Sequence, residues 1–269
     1  MSGPERDLEL QRRYLERMGI TVWLRRDRAG GDHSGLPVEA TEASPDPAGR
    51  NARNVEPPSG GVGVESGTPQ PGADAGSDGI AVMDWDALAG AVAVCTRCPL
   101  CEGRTQTVFG VGDRQADLLI IGEAPGAEED RRGEPFVGRA GRLLDQMLHA
   151  LGLDRQHRVF IANILKCRPP GNRDPEAAEV AACTPYLERQ IALLRPRVIL
   201  AVGRIAAQHL LRTDRPLKAL RQVDWNYPGS ELPVIVSYHP AYLLRNPADK
   251  GKAWQDLKRL QPLLEAERT

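Results

Sequence analysis

The sequence predicts an α/β fold: a three-layer α/β/α domain around a central four-stranded parallel sheet, preceded by a disordered N-terminal extension. Two patterns indicate this. From about residue 84 onward, short runs rich in Val, Ile and Leu alternate with longer stretches of helical character. Each run is apolar throughout, which is typical of parallel strands covered by helices on both faces. The preceding stretch is dense in Gly, Pro, Ser and acidic residues and lacks the apolar residues of a core.

The apolar runs are the predicted strands, at residues 117–122, 159–164, 198–203 and 234–238. The predicted helices lie at residues 84–94, 138–151, 175–194, 205–211 and 248–265. In an open parallel sheet, the ligand binds in the crevice beyond the carboxyl ends of the strands. The candidate site loops therefore start near Gly122, Asn163, Gly203 and His239.

The N-terminal part divides into two segments. Residues 1–26 have apolar side chains at loosely helical spacing and predict a short helix-forming segment. Two interpretations of this segment stay open: a docking peptide for a protein partner, or an ordinary amphipathic helix. Residues 27–83 are interpreted as a disordered linker, and residues 84–269 as the functional domain.

Composition and charge exclude several classes of protein. The chain has 269 residues, of which 41% are hydrophobic, enough to bury a core. Residues 1–82 contain 9 Lys and Arg against 13 Asp and Glu, and residues 83–269 contain 26 against 23, a net charge of +3. This small excess is as typical of a mixed solvated surface as of a nucleic-acid binder. No run approaches the roughly 18 apolar residues of a membrane span, and the N-terminus lacks an apolar signal core, so we expect a cytoplasmic monomer without membrane association.

The five cysteines indicate a metal site. Cys95 and Cys98 form a C-x2-C pair before the first strand, and Cys167 and Cys183 form a C-x15-C pair after the second. Two such pairs on separate segments favour one four-thiolate site. Their spacing alone fits zinc and an iron–sulfur cluster equally well. Cys101 extends the first pair to C-x2-C-x2-C, so it either replaces one of these ligands or is a spare thiol.

The site loops bring three kinds of polar side chain to one edge of the predicted sheet. The loop after the first strand has four acids within residues 122–130, which disfavours a phosphate cradle. Asn163 ends the second strand, and His239 follows the fourth. A single Asn or His at such a place is usually a turn former or a structural residue. Convergence from three strands favours a functional site.

Three longer runs are similar to a known family. They are GEAPGAEEDRRGEPFVGRAGRLLD at 122–145, NILKCRPPGNRDP at 163–175 and HPAYLLRN at 239–246. In this order and spacing they resemble the family 4, or thermophile-type, uracil-DNA glycosylases; residues 1–82 lie outside the resemblance. The family implies a four-iron four-sulfur cluster held by Cys95, Cys98, Cys167 and Cys183, with Cys101 outside the ligand set.

The resemblance also implies a substrate and a set of binding residues. The substrate is uracil in single- or double-stranded DNA, flipped out of the helix before its N-glycosidic bond is hydrolysed. Phe136 would stack on the base, Asn163 would read its edge, and His239 would donate to O2 of the departing uracil. The family also places Gly122, Glu123 and Ala124 along the uracil.

The resemblance leaves the water-activating residue open. Ala124 stands where the most active enzymes of the wider superfamily have an Asp, so Glu123 and Glu129 are the candidates, together with His239 as the third catalytic residue. A sister group that binds uracil-DNA covalently needs an inserted basic loop after Lys166-Cys167, and this chain lacks it. The alternative function is a catalytically silent iron–sulfur module that binds DNA.

The family resemblance further implies contacts with the DNA outside the base pocket. Leu243 and Leu244 would wedge into the stack that the flipped base has left, and Arg245 would lie near a phosphate. The opposing interpretation of the two leucines is that they are core residues at the start of a helix.

Overall fold

The computed structural model describes residues 12, 13, 16 and 77–265. Arg12, Arg13 and Glu16 are helical, and Arg12 Nε lies 2.8 Å from Glu16 Oε1. The remainder of that segment and residues 27–76 of the predicted linker lie outside the described residues. Among the described helices, none is both long and apolar enough to cross a membrane.

The sheet has six strands in the order β1-β3-β2-β4-β6-β5. They are β1 Val111–Gly112, β2 Leu118–Gly122, β3 Val159–Asn163, β4 Val198–Val202, β5 Trp225–Asn226 and β6 Pro233–Ser237. The middle four are parallel and match the predicted strands, whereas β1 and β5 pair antiparallel at the two edges. The prediction of four strands is thus corrected to six, because two-residue edge strands leave no apolar run to detect.

The helices include all five predicted ones and several shorter ones. They are α1 Ser77–Ile80, α2 Trp85–Ala93, α3 Leu100–Gly103, α4 Ala127–Arg132, α5 Arg139–Ala150, α6 Ala177–Leu194, α7 Arg204–Leu210, α8 Leu217–Leu220, α9 Pro240–Arg245, α10 Lys250–Lys258 and α11 Leu260–Glu265, with 3-10 turns at Pro170–Asn172 and Pro247–Asp249. The predicted helix at 248–265 is divided into α10 and α11. The helices that the sequence did not reveal have six residues or fewer, too few for a helical period to show.

The two faces of the sheet are covered by different helices. In β2, Leu119 and Ile121 point to a core that includes residues of α2, α6 and α7. Leu118 and Ile120 point to a second core with residues of α5, α9, α10 and α11. All five residues of β2 are buried, as expected for a strand covered on both faces. The three-layer α/β/α prediction is confirmed.

The folded region begins before the predicted boundary at residue 84. Ile80 in α1 is buried in the first core, and Arg189 Nε donates to the Met83 carbonyl at 2.6 Å. The sequence predicts a linker up to residue 83 because the stretch before it is, as a whole, dense in Gly, Pro, Ser and acidic residues. The buried Ile80, the partly buried Met83 and one hydrogen bond attach this segment to α6 and the core.

The strand order determines where a ligand can bind. After β2 the chain forms β3 on one side of it, and then crosses to β4 on the other side. Such a reversal opens a crevice at the carboxyl ends of the two central strands. The loops that follow β2, β3 and β6 all start at this edge of the sheet.

Candidate functional site

A cleft of about 470 Å³ opens at the carboxyl edge of the sheet, within the range of small-ligand pockets. Its lining includes seven of the residues predicted for the site, among them Glu123, Ala124, Phe136, Asn163 and His239. Glu129 and Arg245 also line it, as do Gly126, Ala140, Asn172, Ala241 and Tyr242. The structure therefore brings together side chains from three predicted loops in one cleft.

Gly122 and Asn163 end neighbouring strands and lie side by side in the sheet. Asn163 is only 2% exposed, so its amide group is held in place by the surrounding protein. A Cβ atom on residue 122 would lie 2.7 Å from Phe136 Cζ and would also clash with Asn163 Oδ1. Glycine is required here because any side chain would displace the amide or the ring.

Phe136 lies in a loop with an unusual backbone conformation. Its φ angle is 55°, in the left-handed region, which costs a non-glycine residue about 1–3 kcal/mol. Glu129 Oε1 accepts hydrogen bonds from the backbone N–H groups of Val137 (3.0 Å) and Gly138 (3.2 Å). Arg155 Nη2 donates to the Phe136 carbonyl at 2.9 Å. These charged groups hold the ring in the cleft despite the backbone strain.

His239 is placed as a neutral hydrogen-bond donor. It is the N-cap of α9, and its Nδ1 accepts from the Ala241 backbone N–H at 3.1 Å. The ring proton must therefore lie on Nε2. Burial lowers the pKa of His239 to about 4, with Arg245 lowering it further and Glu129 opposing the shift. Its ring stacks against that of Phe136 at a centroid distance of 5.5 Å.

A buried polar network supports the strand that leads to His239. Asp256 accepts from Arg221 Nε at 2.7 Å and Nη2 at 2.9 Å, and from Ser237 Oγ at 2.8 Å. The guanidinium also lies over the Tyr238 ring, 4.0 Å from its centroid. Burial raises the pKa of Asp256, while the hydrogen bonds from Arg221 and Ser237 oppose the shift. This network was not predictable from the sequence, because its members are far apart in the chain and form no motif.

The two predicted catalytic carboxylates have different surroundings. Glu129 is engaged with the loop of Phe136, as described above. Glu123 is half-buried in the cleft, and within the described residues no hydrogen bond to its carboxylate is found. Burial and the nearby Asp174 raise the pKa of Glu123, and Arg204 opposes the shift. Glu123 thus has both carboxylate oxygens available to a water molecule, whereas Oε1 of Glu129 is already engaged.

The three predicted DNA contacts lie on α9 and differ in exposure. Leu243 is fully buried in the second core, which corrects its prediction as a DNA wedge, because it has no surface to offer a base stack. Leu244 is half-buried, and Arg245 is exposed beside the cleft. Leu243 and Leu244 look alike in sequence, and only the direction of each side chain from the helix separates them.

The five cysteines line a second pocket. The pocket contains all four predicted ligands, Cys95, Cys98, Cys167 and Cys183, together with Cys101. No disulfide joins them. In the part of the chain that the structure describes, no three His, Cys, Asp or Glu residues are arranged to hold a single metal ion.

Two N–H groups point at cysteine sulfurs in this pocket. Arg104 Nη1 donates to Cys167 Sγ at 3.2 Å and to the Cys95 carbonyl at 2.8 Å. The backbone N–H of Lys166 donates to Cys183 Sγ at 3.3 Å. Burial raises the pKa of Cys183 to about 11. In proteins, iron–sulfur clusters are held by cysteine sulfurs that accept hydrogen bonds from nearby N–H groups.

A protein-family model for the uracil DNA glycosylase superfamily matches residues 109–258, more than half of the chain. The chain belongs to this superfamily. Type-4 uracil-DNA glycosylases are similar to it: that of Sulfurisphaera tokodaii is 42% identical over 63% of this chain and 80% of its own length. The Pyrobaculum aerophilum protein is 43% identical over 65% and 92%, and the Thermotoga maritima protein is 43% identical over 56% and 79%.

These comparisons confirm the family resemblance. The superfamily match contains every cleft residue, whereas Cys95, Cys98, Cys101 and Arg104 precede its first residue. The pocket residues that precede β1 in the chain therefore lie outside the region that matches the superfamily model.

Proposed function

We propose that this protein is a uracil-DNA glycosylase, which hydrolyses the N-glycosidic bond of a flipped-out uracil in DNA and so starts base excision repair. The observation that decides this is the meeting of Phe136, Asn163 and His239 in one cleft. The aromatic ring matches the face of a uracil, and the amide and the neutral imidazole donor match the hydrogen-bonding groups on its edges. The names of the type-4 relatives support the same activity.

Recognition of the base depends on Asn163 and Phe136. The amide of Asn163 donates to uracil O4 and accepts from N3–H, whereas cytosine offers these groups with donor and acceptor exchanged. A mismatched bidentate pair of this kind costs about 1–3 kcal/mol. The discrimination requires a fixed amide, and Asn163 is buried at a strand end. The Phe136 ring supplies a stacking surface.

His239 stabilises the departing base. When the C1′–N1 bond breaks, its electron pair stays on uracil, and negative charge spreads onto O2. The Nε2–H of His239 donates to that oxygen, since Nδ1 already accepts from the backbone. A positioned donor in a site with little water stabilises developing charge without reorganisation. A neutral imidazole retains its proton and acts as a hydrogen-bond donor.

Glu123 orients the attacking water, and Glu129 positions the site. Water adds to C1′ of the sugar as uracil leaves, and its proton passes to the Glu123 carboxylate before being released to solvent. A carboxylate with a raised pKa is a better proton acceptor at neutral pH than an ordinary one. Glu129 uses Oε1 to hold the loop of Phe136, which fixes the stacking ring.

The DNA reaches this cleft only with its target base flipped out of the stack, because the glycosidic bond is inaccessible inside a duplex. Leu244 is the remaining candidate to fill the vacated position, and Arg245 lies beside the cleft where a phosphate would pass. We propose that both single- and double-stranded DNA are substrates, with the unpairing cost absent for single strands.

We also propose that Cys95, Cys98, Cys167 and Cys183 hold a four-iron four-sulfur cluster. The donor set fits: four thiols from three segments of the chain line one pocket, and two N–H groups point at their sulfurs. When bound, the cluster supplies a cross-link between the segment before β1 and the segment after β3. This cross-link would fix the loop that follows Asn163.

The test is cleavage of an oligonucleotide that contains one uracil. The cluster-loaded protein should produce alkali-labile breaks at that position, and Asn163→Ala or His239→Ala should lower the rate at least about 100-fold. Asn226→Ala, at an exposed position on β5, is the matched control and should leave the rate unchanged. Brown protein that binds the DNA without cleaving it would instead support the silent DNA-binding module, and a colourless zinc-containing preparation would refute the cluster.

A further inference from the structure

Lys166 is a buried lysine between the cleft and the cysteine pocket. It is 2% exposed, three residues beyond Asn163 and immediately before Cys167. Its Nζ donates to the Asn163 carbonyl at 2.9 Å and to Gln190 Oε1 at 2.6 Å. Its backbone N–H donates to Cys183 Sγ at 3.3 Å. One residue thus contacts the amide-bearing strand end with its side chain and a cysteine sulfur with its backbone.

Gln190 links this lysine to the helix that bears Cys183. Gln190 and Cys183 are both on α6, and both are buried. The Gln190 Nε2 group donates to the Phe109 carbonyl at 2.9 Å, so the side-chain amide is held from both ends. Because Lys166 is bound to α6 at two points, a shift of this helix at Cys183 would move the lysine as well.

The positive charge of Lys166 is relevant to its position between the cleft and the cysteine pocket. A buried ammonium costs several kcal/mol unless a negative group lies nearby. The two oxygens that accept from Nζ, the Asn163 carbonyl and Gln190 Oε1, are neutral. Neither of them takes part in the proposed reaction. The cysteines of the neighbouring pocket would supply such a charge as thiolates when they hold a metal cluster.

We infer that Lys166 is a positioning residue, which couples the occupied cysteine pocket to the placement of Asn163. The inference rests on the proposed function for the role of Asn163. With a cluster held by Cys167 and Cys183, the backbone of Lys166 would be fixed, and its ammonium group would hold the Asn163 carbonyl. This contact sets the end of β3, where Ile164 and Leu165 donate to the carbonyls of Gly122 and Glu123.

The first experiment is a double-mutant cycle with Lys166→Met and Asn163→Ala, measured by single-turnover excision of uracil. Lys166→Met alone should lower the rate by about 10- to 100-fold, as expected for a lost hydrogen bond from a charged donor. In the Asn163→Ala background it should add less than about twofold, because both changes act through the same amide. The exposed Lys218→Met serves as the control and should match the wild type. Fully additive effects would overturn the inference.

The second experiment does not depend on activity. In cluster-loaded protein, hydrogen exchange at the amides of Ile164 and Leu165 should be at least about tenfold faster in Lys166→Met than in the wild type. Coupling of binding free energies is reciprocal, so Lys166→Met should also weaken iron binding and release at least about fivefold more iron to a chelator at equilibrium. Unchanged exchange at both amides would overturn the inference, even in a preparation that excises uracil normally.

A third variant covers the case in which Lys166→Met does not fold. Gln190→Met leaves the lysine in place and removes one of its two acceptors, so it should change exchange and iron release in the same direction by a smaller factor. Circular dichroism verifies folding of each variant. If the wild type fails to excise uracil, the proposed function is wrong, whereas exchange and iron release still decide whether Lys166 couples the two sites.

Discussion

The neutral state of His239, which is half-buried in the cleft, leads to a prediction about pH. Burial lowers its pKa from the ordinary 6.5 to about 4, a difference of roughly 3 kcal/mol between the two protonation states. At pH 5 about nine-tenths of the imidazole would be neutral with the lowered pKa, and only about 3% with the ordinary one. We therefore expect the ring to stay neutral, with its proton on Nε2, from pH 8 down to about pH 5.

The same shift determines how stability depends on pH. The unfolded chain takes up a proton on this His as the pH falls through 6.5, whereas the folded protein does so only near pH 4. The free energy of unfolding should therefore fall between pH 6.5 and about 4, by up to about 3 kcal/mol. The His239→Gln variant should lose this part of the dependence, and chemical denaturation at several pH values measures it.

Nitrogen chemical shifts of the imidazole are the direct assay, with the His239→Gln spectrum providing the assignment. An activity profile alone would not suffice, since protonation of Glu123, whose pKa is raised, also lowers the rate in acid. A titration of the His239 ring with a midpoint near 6.5, or a proton on Nδ1, would refute the reasoning. Either result would mean that the ring cannot act as a neutral Nε2–H donor at neutral pH.

Three further predictions concern other side chains. Glu129→Gln keeps the size of the side chain but weakens its two hydrogen bonds to the Phe136 loop. The rate of uracil excision should therefore fall about 10- to 100-fold. The control, Glu128→Gln at an exposed position, should change the rate little. Cys98→Ser should lower the iron content of the purified protein, whereas Cys101→Ser should leave it near the wild-type value, as iron analysis will show. Asp256→Asn removes the charge that pairs with a buried guanidinium and should lower the free energy of unfolding by about 3–5 kcal/mol in a urea titration.

The sequence predicted the central sheet because each parallel strand is a continuous apolar run. It did not predict β1 and β5, whose two residues have mixed burial and no pattern. The cleft residues Phe136, Asn163 and His239 were predictable because parallel strands end at one edge and the family motifs mark those ends. The direction of a side chain from a short helix was not predictable, and this is why Leu243 was assigned to the DNA.

Glu123 and Glu129 illustrate the same limit within the site. In sequence they are two acids of one loop, and the residue pattern offers nothing to distinguish them. Glu129 lies on α4, within reach of the backbone N–H groups that precede α5, and these groups make it a structural acceptor. Glu123 follows β2 directly and keeps its oxygens in the cleft. We therefore expect the two carboxylates to differ in role because Glu129 accepts hydrogen bonds from backbone N–H groups and Glu123 does not. Glu123→Gln should therefore impair excision without changing the Phe136 loop, whereas Glu129→Gln should change both.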